Sequence, residues 1–314
     1  MRVIEAARVH AALPYAGLIE RLRAAFRRGG EVPLRSHFHI DVPGSEAGGT
    51  LLVMPAWQPG RHIGIKAVSV YPENPQAGLP SVIGTYVLFD ARTGAPKAVI
   101  DGVALTLRRT ACASALAASH LARADAQTLL MVGAGSLAPH LIRAHCAVRA
   151  YRRIEIWNRN RARAEAMAEK LTDLDAAIAV VEDLETATRA ADTISCATLS
   201  RAPLVHGDWL KSGTHVDLVG GFTPQMREAD DAAIARAAVF VDTRAGAMRE
   251  AGDLVQPLHS GLLKPDDIRG DLFDLCRNQA AGRRGDREIT LFKSVGTALE
   301  DLAAAEMVVE GRAA

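Results

Sequence analysis

The 314-residue sequence predicts an α/β protein in which a parallel sheet wound with helices is joined to a discontinuous α+β unit. Three observations carry this reading. From Gln127 onward, short apolar runs alternate with helical stretches (TLLMVG, RIEIW, AIAVV, DTISCAT, HVDLVGG and AVFVD), the order expected of βαβ units in a Rossmann-type parallel sheet. From Leu34 to Ile100 the β-prone runs are instead split by Pro and Gly clusters, as in an antiparallel or mixed sheet. Between them, residues 103–122 (VALTLRRTACASALAASHLA) form one long helix of small residues suited to close packing and to a domain junction. The expected division is 1–120 with 294–314 for the α+β unit and 121–293 for the Rossmann-type unit.

Taken in order, residues 14–28 place Leu18, Leu22 and Phe26 at helical spacing and stop at Gly29-Gly30, which predicts an amphipathic helix. Strands follow at LRSHFHI, TLLVMPAW, HIGIKAVSVY, SVIGTYVLFD and PKAVID, and the small-residue helix follows these. After the alternating region, residues 244–288 read as helices and loops, with AAGRRGDRE as an exposed turn. ITLFKSVG predicts a short strand leading into a last Ala-rich helix. Its Leu299, Leu302 and Met307 need a partner face, so the helix is expected to return to the first unit.

Composition narrows the function classes. Lys and Arg number 37 against 36 Asp and Glu, so no global field gathers nucleic acid or an anionic membrane, and a small-molecule partner is expected. Aromatics are only 4%, too few for base-stacking platforms. No run of 18 apolar residues occurs, and Glu5 and Arg8 interrupt any signal-peptide core, so neither a membrane span nor secretion is expected. Four cysteines without a C-x-x-C pair fit buried thiols in a reducing compartment, and the cytoplasm is the expected location.

The strand TLLMV runs straight into Gly133-Ala-Gly135-Ser136-Leu137-Ala138, a G-x-G-x-x-A loop opening a helix. Gly133 permits the tight turn, Gly135 the approach of a pyrophosphate, Ala138 close helix packing, and the helix start offers N–H donors to the anion. A dinucleotide cofactor is expected. About 25 residues on, where an NAD-specific site carries an acid, stand Asn158, Arg159, Asn160 and Arg161. An arginine there pairs with a 2′-phosphate, so NADPH is favoured, with NADH as the other possibility. The competing reading is a solvated helix start. Thr198, closing the strand that contains Cys196, is expected beside the adenosine.

Three cations stand where unpaired charge is poorly tolerated: Arg35 at a strand start, Lys66 within HIGIKAV, and Arg109 on the small-residue helix. A substrate carboxylate would pair with them; the alternative is an internal ion pair with acids such as Asp101 or Glu73. His37 and His39 share a strand face but lack a third metal ligand, and no metal is expected. His206 and His215 read as structural.

Arg35, GIKAV around Lys66, GTYVLFDARTG from Gly84, LTLRRTACASALAA, GAGSLAPH and FKSVG around Lys293 together resemble the ornithine cyclodeaminase/mu-crystallin family over nearly the whole chain. The resemblance implies a substrate and dimerisation domain plus a nicotinamide-binding Rossmann domain, with Arg35, Lys66 and Arg109 holding a substrate carboxylate near the nicotinamide. It adds Lys293 and Ser294 to the expected cofactor residues; apart from the resemblance, Thr85 and Thr223 are candidate substrate hydrogen bonders, with ordinary strand packing as the competing reading. Ornithine cyclodeaminases carry an aspartate after the glycines of VGGFTPQMRE, where this chain has Phe222. Without that base, hydride delivery to a ready-made cyclic imine stays feasible while ornithine deamination does not. The GGFTPxMRE form resembles the reductases of Δ1-pyrroline-2-carboxylate and Δ1-piperideine-2-carboxylate. The expected function is therefore reduction of a cyclic imino acid by a homodimer, with Lys66 and Arg109 as catalytic candidates. The alternatives are ornithine cyclodeaminase, an alanine-dehydrogenase-like enzyme, and a non-catalytic NADPH-binding protein of the mu-crystallin type.

Overall fold

The computed structural model describes residues 1–45 and 47–311. They divide into two compact units, one of Met1–Thr110 with the segment from Thr297 onward and one of Ala111–Gly296.

The first unit opens with strand β1 (Arg2–Ile4), helix α1 (Ala6–Ala12) and helix α2 (Tyr15–Arg28). Strands β2 (Ser36–Ile40), β3 (Gly49–Trp57), β4 (His62–Val70), β5 (Val82–Asp90) and β6 (Pro96–Asp101) follow, and α3 (Gly102–Leu121) begins directly after them. The sheet order is β1-β6-β5-β4-β3-β2, an antiparallel meander to which β1 adds in parallel along β6. β1 and α1 are additions to the sequence reading; three residues are too few to show a strand period. The boundary expected at residue 120 falls at the end of α3, whereas the division lies inside that helix, between Thr110 and Ala111.

The second unit holds β7 (Thr128–Val132), α4 (Ala138–Cys146), β8 (Arg153–Trp157), α5 (Arg161–Ala168), β9 (Ala177–Val180), α6 (Leu184–Ala190), β10 (Thr193–Cys196) and β11 (His215–Leu218). It continues through α7 (Asp231–Arg236), β12 (Ala238–Val241), α8 (Arg244–Glu250), α9 (Gly252–Ser260), β13 (Ile268–Asp271), α10 (Leu272–Cys276) and β14 (Thr290–Lys293). All eight strands run parallel in the order β13-β12-β14-β11-β10-β7-β8-β9. The central strands are buried on both faces, as their unbroken apolar runs require. β13, inside the stretch read as helix and loop, is an edge strand with Arg269 exposed. The switch point, where connections leave in opposite directions, lies between β7 and β10, and the carboxyl ends there form the usual ligand crevice.

The chain ends in α11 (Ala298–Glu310), which packs within the first unit on α2, β3 and β4. Leu299 and Leu302 are buried in that contact, as are Leu18, Leu22 and Phe26 of α2.

Candidate active site

In the first unit the site is built from β4, α3 and α11. Side chains alternate along β4, so His62, Gly64 and Lys66 share one face, and α11 sets acids against it. Lys66 Nζ lies 2.7 Å from Asp301 Oδ2 and 3.4 Å from Thr106 Oγ1. Arg109 donates from Nε to Asp301 Oδ1 at 3.0 Å and from Nη1 to Glu300 Oε2 at 2.6 Å. One carboxylate thus bridges both cations, and Lys66, Arg109, Asp301 and Glu300 are all at most 4% exposed. Gly64 makes room here: a side chain would place its Cβ 1.7 Å from Tyr86 Oη, across from Lys66 in the β4–β5 register.

The electrostatics follow from burial. Desolvation, then the neighbouring Arg109, lowers Lys66 against the pull of Asp301, and its pKa settles at about 8 instead of 10.5; Arg35 adds to the lowering. Burial alone would raise the Asp301 carboxyl, but Arg109 and Lys66 hold it below the usual range. Thr106 Oγ1 accepts one ammonium N–H, and Asp301 Oδ2 pairs with the charge. The result is a fixed, desolvated ammonium that exchanges its proton near neutral pH.

The internal ion pair weighed as an alternative is therefore present, with Asp301 and Glu300 as its acids. Asp101 instead caps α3, accepting from Ala104 N–H at 2.8 Å. Half-buried Arg35 stands just before β2 and acts electrostatically on Lys66. Thr85 requires a correction. The pleat of β5 turns it, exposed, to the sheet face opposite Tyr86 and Lys66, so the structure does not bring it to the ammonium.

In the second unit, β7 ends in Gly133, whose φ of +110° and closeness to the Ala197 carbonyl, 2.7 Å from where a Cβ would sit, exclude a side chain. Beyond it, Gly135 and Ser136 are exposed, and a Cβ at Gly135 would meet open space. Leu137 is half-buried and Ala138 fully buried at the start of α4, which has no side-chain cap. A crevice of about 430 Å³ opens beside the start of α4, lined by Gly135, Ser136, Pro139, Arg163 and Met167; within α4 Pro139 has no N–H, and those of Ala138 and His140 bond the carbonyls of Gly135 and Leu137 at 3.1 and 3.0 Å. The exposed glycine loop at the helix start is therefore the part of the crevice wall that a pyrophosphate would approach. Asn158 supports the loop, its Oδ1 accepting from Ala134 N–H at 3.2 Å. Arg161 is tied to Glu165 and Glu182, while exposed Arg159 pairs with no acid among the described residues. Arg163, which the sequence reading passed over, joins the crevice wall from the first turn of α5.

Thr198, Thr223, Lys293 and Ser294 gather around the carboxyl ends of β10, β11 and β14. Thr198 gives both its N–H (2.7 Å) and its hydroxyl (2.9 Å) to Glu228. Thr223 is half-buried, its carbonyl accepting from Met226 and Gly252 N–H groups. Lys293 was expected to meet the cofactor directly; its side chain is fully buried and faces Asp253 at 3.1 Å, because the strand end points it under the loops. Ser294 N–H bonds the Leu218 carbonyl at 3.1 Å. Phe222 is 39% exposed.

The remaining histidines lie elsewhere. His215 is buried against Thr290, and burial pushes its pKa down to about 3, so it stays neutral; His206 pairs with Asp230. Among the described residues no three potential ligands gather into a metal site. Burial pushes the Cys196 thiol well up, which removes thiolate chemistry there.

Comparison with known proteins places the fold and the family. The chain is 42% identical over 261 residues to the Δ1-pyrroline-2-carboxylate reductase of Paracoccus denitrificans, covering 83% of each chain. Its fold matches the reductase of the same name from Thermococcus litoralis, solved with NADH and L-proline, at a TM-score of 0.93 and 33% identity, over 99% of this chain and 97% of that one. An archaeal alanine dehydrogenase dimer with bound NAD matches at 0.91 and 27% identity, over 99% and 95%. The family model for ornithine cyclodeaminase/mu-crystallin spans residues 2–314, and the chain belongs to that family.

Proposed function

We propose that this chain is an NAD(P)H-dependent reductase of cyclic imino acids, converting Δ1-pyrroline-2-carboxylate to L-proline and accepting Δ1-piperideine-2-carboxylate to give L-pipecolate. The observation that carries the reading is the apolar Phe222 after Gly220 and Gly221, at the position where a carboxylate would be needed to take a proton from an amine; in the first unit Lys66, with a pKa of about 8, supplies a proton donor. The identity to named pyrroline-2-carboxylate reductases supports the same choice.

When bound, a reduced nicotinamide supplies the hydride. The chain does the rest. Arg109, locked by Asp301 and Glu300, holds the substrate carboxylate, with the positive charge of Lys66 and Arg35 adding to the attraction, and an N–H of Lys66 is kept for the imine nitrogen. Lys66 protonates the imine nitrogen, a transfer matched to a donor whose pKa lies near 8. Gly133, Gly135, Ser136, Leu137 and Ala138 receive the pyrophosphate, and Asn158 and Arg159 face the adenosine ribose, favouring NADPH over NADH. Four free cysteines support a reducing compartment, hence the cytoplasm. Among the described residues no helix is long and apolar enough to cross a membrane. A homodimer is part of the proposal and is argued below.

Oxidation of NADPH and NADH, followed with both cyclic imines and with ornithine as control, tests the reading. Turnover is expected with the imines only. Ammonia release from ornithine, or inert imines, would overturn it.

A further inference from the structure

Beneath the loops after β10 and β11 lies a sealed charge cluster with no part in holding substrate or moving protons. Glu228 is 0% exposed, and its two oxygens accept from Thr198 N–H, the Thr198 hydroxyl, Gly220 N–H at 2.8 Å and Gly221 N–H at 3.2 Å. Asp253, also 0% exposed, accepts from Glu228 N–H at 2.7 Å and Ala229 N–H at 3.0 Å. Burial raises the Glu228 carboxyl, and the nearby Lys293 and the N–H donors around it oppose that rise. Among the described residues the only cation paired with either acid is Lys293, 3.1 Å from Asp253 and 3.8 Å from Glu228. Two carboxylates against one ammonium leave one negative charge in excess in a dry interior, where it acts strongly on its surroundings.

Its place in the sheet gives that charge a target. The pyrophosphate crevice is at the end of β7, and Arg159 stands at the end of β8 on one side. The cluster is at the ends of β10, β11 and β14, on the other side. A dinucleotide laid across the switch point puts its second nucleotide there. Gly221 separates the cluster from the loop surface by backbone alone: a Cβ at that residue would sit 3.0 Å from Asp253 Oδ2 and 3.4 Å from Lys293 Nζ.

We infer that the buried excess charge of Glu228, Asp253 and Lys293 makes the site bind the oxidised nicotinamide, which carries a positive charge, more tightly relative to the neutral reduced form. The consequence is a stronger driving force for hydride donation, since loss of hydride to the imine carbon leaves the ring cationic. The inference rests on the nicotinamide reading above. Lys293 and Thr198 then serve the cofactor without touching it, one by balancing part of the charge and the other by fixing Glu228.

The test is the ratio of Kd for NADP+ to Kd for NADPH, measured by fluorescence titration without substrate and repeated with NAD+ and NADH. Glu228→Gln and Asp253→Asn each abolish the excess and are expected to raise the ratio by about tenfold, as for one unit charge acting through a protein interior. The double substitution Asp253→Asn with Lys293→Met removes one charge of each sign, and its ratio is expected to stay within about twofold of wild type. A structural role alone would weaken both cofactor forms together. Singles that leave the ratio unchanged, or a double that shifts it as far as the singles, would overturn the inference. If Glu228→Gln does not fold, Asp253→Asn against the double decides the matter. Wild-type protein that binds neither form would instead overturn the cofactor reading itself.

Discussion

Lys66 sits where burial and pairing oppose one another, and its chemistry depends on Asp301 keeping the balance. Its proton leaves at about pH 8 in the folded chain against 10.5 ordinarily. Two consequences separate along the pH axis. Activity that needs the ammonium declines above pH 8. Between pH 8 and 10.5 the unfolded chain binds the extra proton, so the contribution of Lys66 to stability rises with pH over that window. A falling kcat/KM with no matching fall in Tm across pH 8 to 9 is the expected pair of profiles. Asp301→Asn withdraws the charge that holds Lys66 up, so the alkaline limb should move down by about a unit; a limb that stays in place assigns it to another group. Arg109→Lys keeps the charge but not the planar fork that reaches both Asp301 and Glu300, and about 2 kcal/mol of kcat/KM should be lost while NADPH affinity is retained. The cations were legible because charge inside apolar elements demands an explanation. Their acids were not, since Asp301 and Glu300 lie some 190 residues away from Arg109 in a helix whose alanines and leucines drew the reading. The misplacement of Thr85 has the same origin: a residue-type argument carries no facing until the register is known.

At the scale of elements, the β7–α4 turn was legible because its glycines stand between a strand and a helix, and each meets a separate geometric demand. The short strands β1 and β13 were not, having three and four residues and taking their place from β6 and β12 rather than from any period of their own. The β8–α5 corner falls between these cases. Sequence offered two arginines, and folding distinguishes them: Arg161 is spent on Glu165 and Glu182, which leaves Arg159 for a 2′-phosphate, with Arg163 nearby on the crevice wall. Arg159→Ala is therefore expected to reduce the NADPH:NADH ratio of kcat/KM by about 1–2 kcal/mol, as for one charge-assisted bond, while Arg161→Ala leaves the ratio near wild type. Equal NADPH kinetics in the Arg159 variant would remove the phosphate assignment and leave Arg163 as the remaining candidate.

For the whole molecule the decisive surface is the face of the first sheet turned away from α11. One side of β3, β4 and β5 is covered by that helix and holds the charged site; the other carries exposed apolar residues. β2 is an edge strand with every residue exposed, among them Phe38 at 51% and Ile40 at 36%, and β5 adds Ile83, 44% exposed, on the same face. An unprotected edge and apolar side chains of this size invite pairing with an identical copy about a two-fold axis. Burying three or four such side chains from each partner contributes roughly 1.5–3 kcal/mol apiece, a total comparable with the roughly 4–15 kcal/mol lost in association, so the interface must also enlist the strand edge. The expected solution species is a homodimer or a multiple of it, of twice 33.4 kDa at least. Light scattering at micromolar concentration reads the mass directly. Introducing a charge at two points, Phe38→Glu with Ile83→Glu, should shift the mass toward the monomer without altering the cofactor crevice, which lies wholly in the second unit. A wild-type monomer, or a double variant whose mass does not change, would assign the exposed face to some other role.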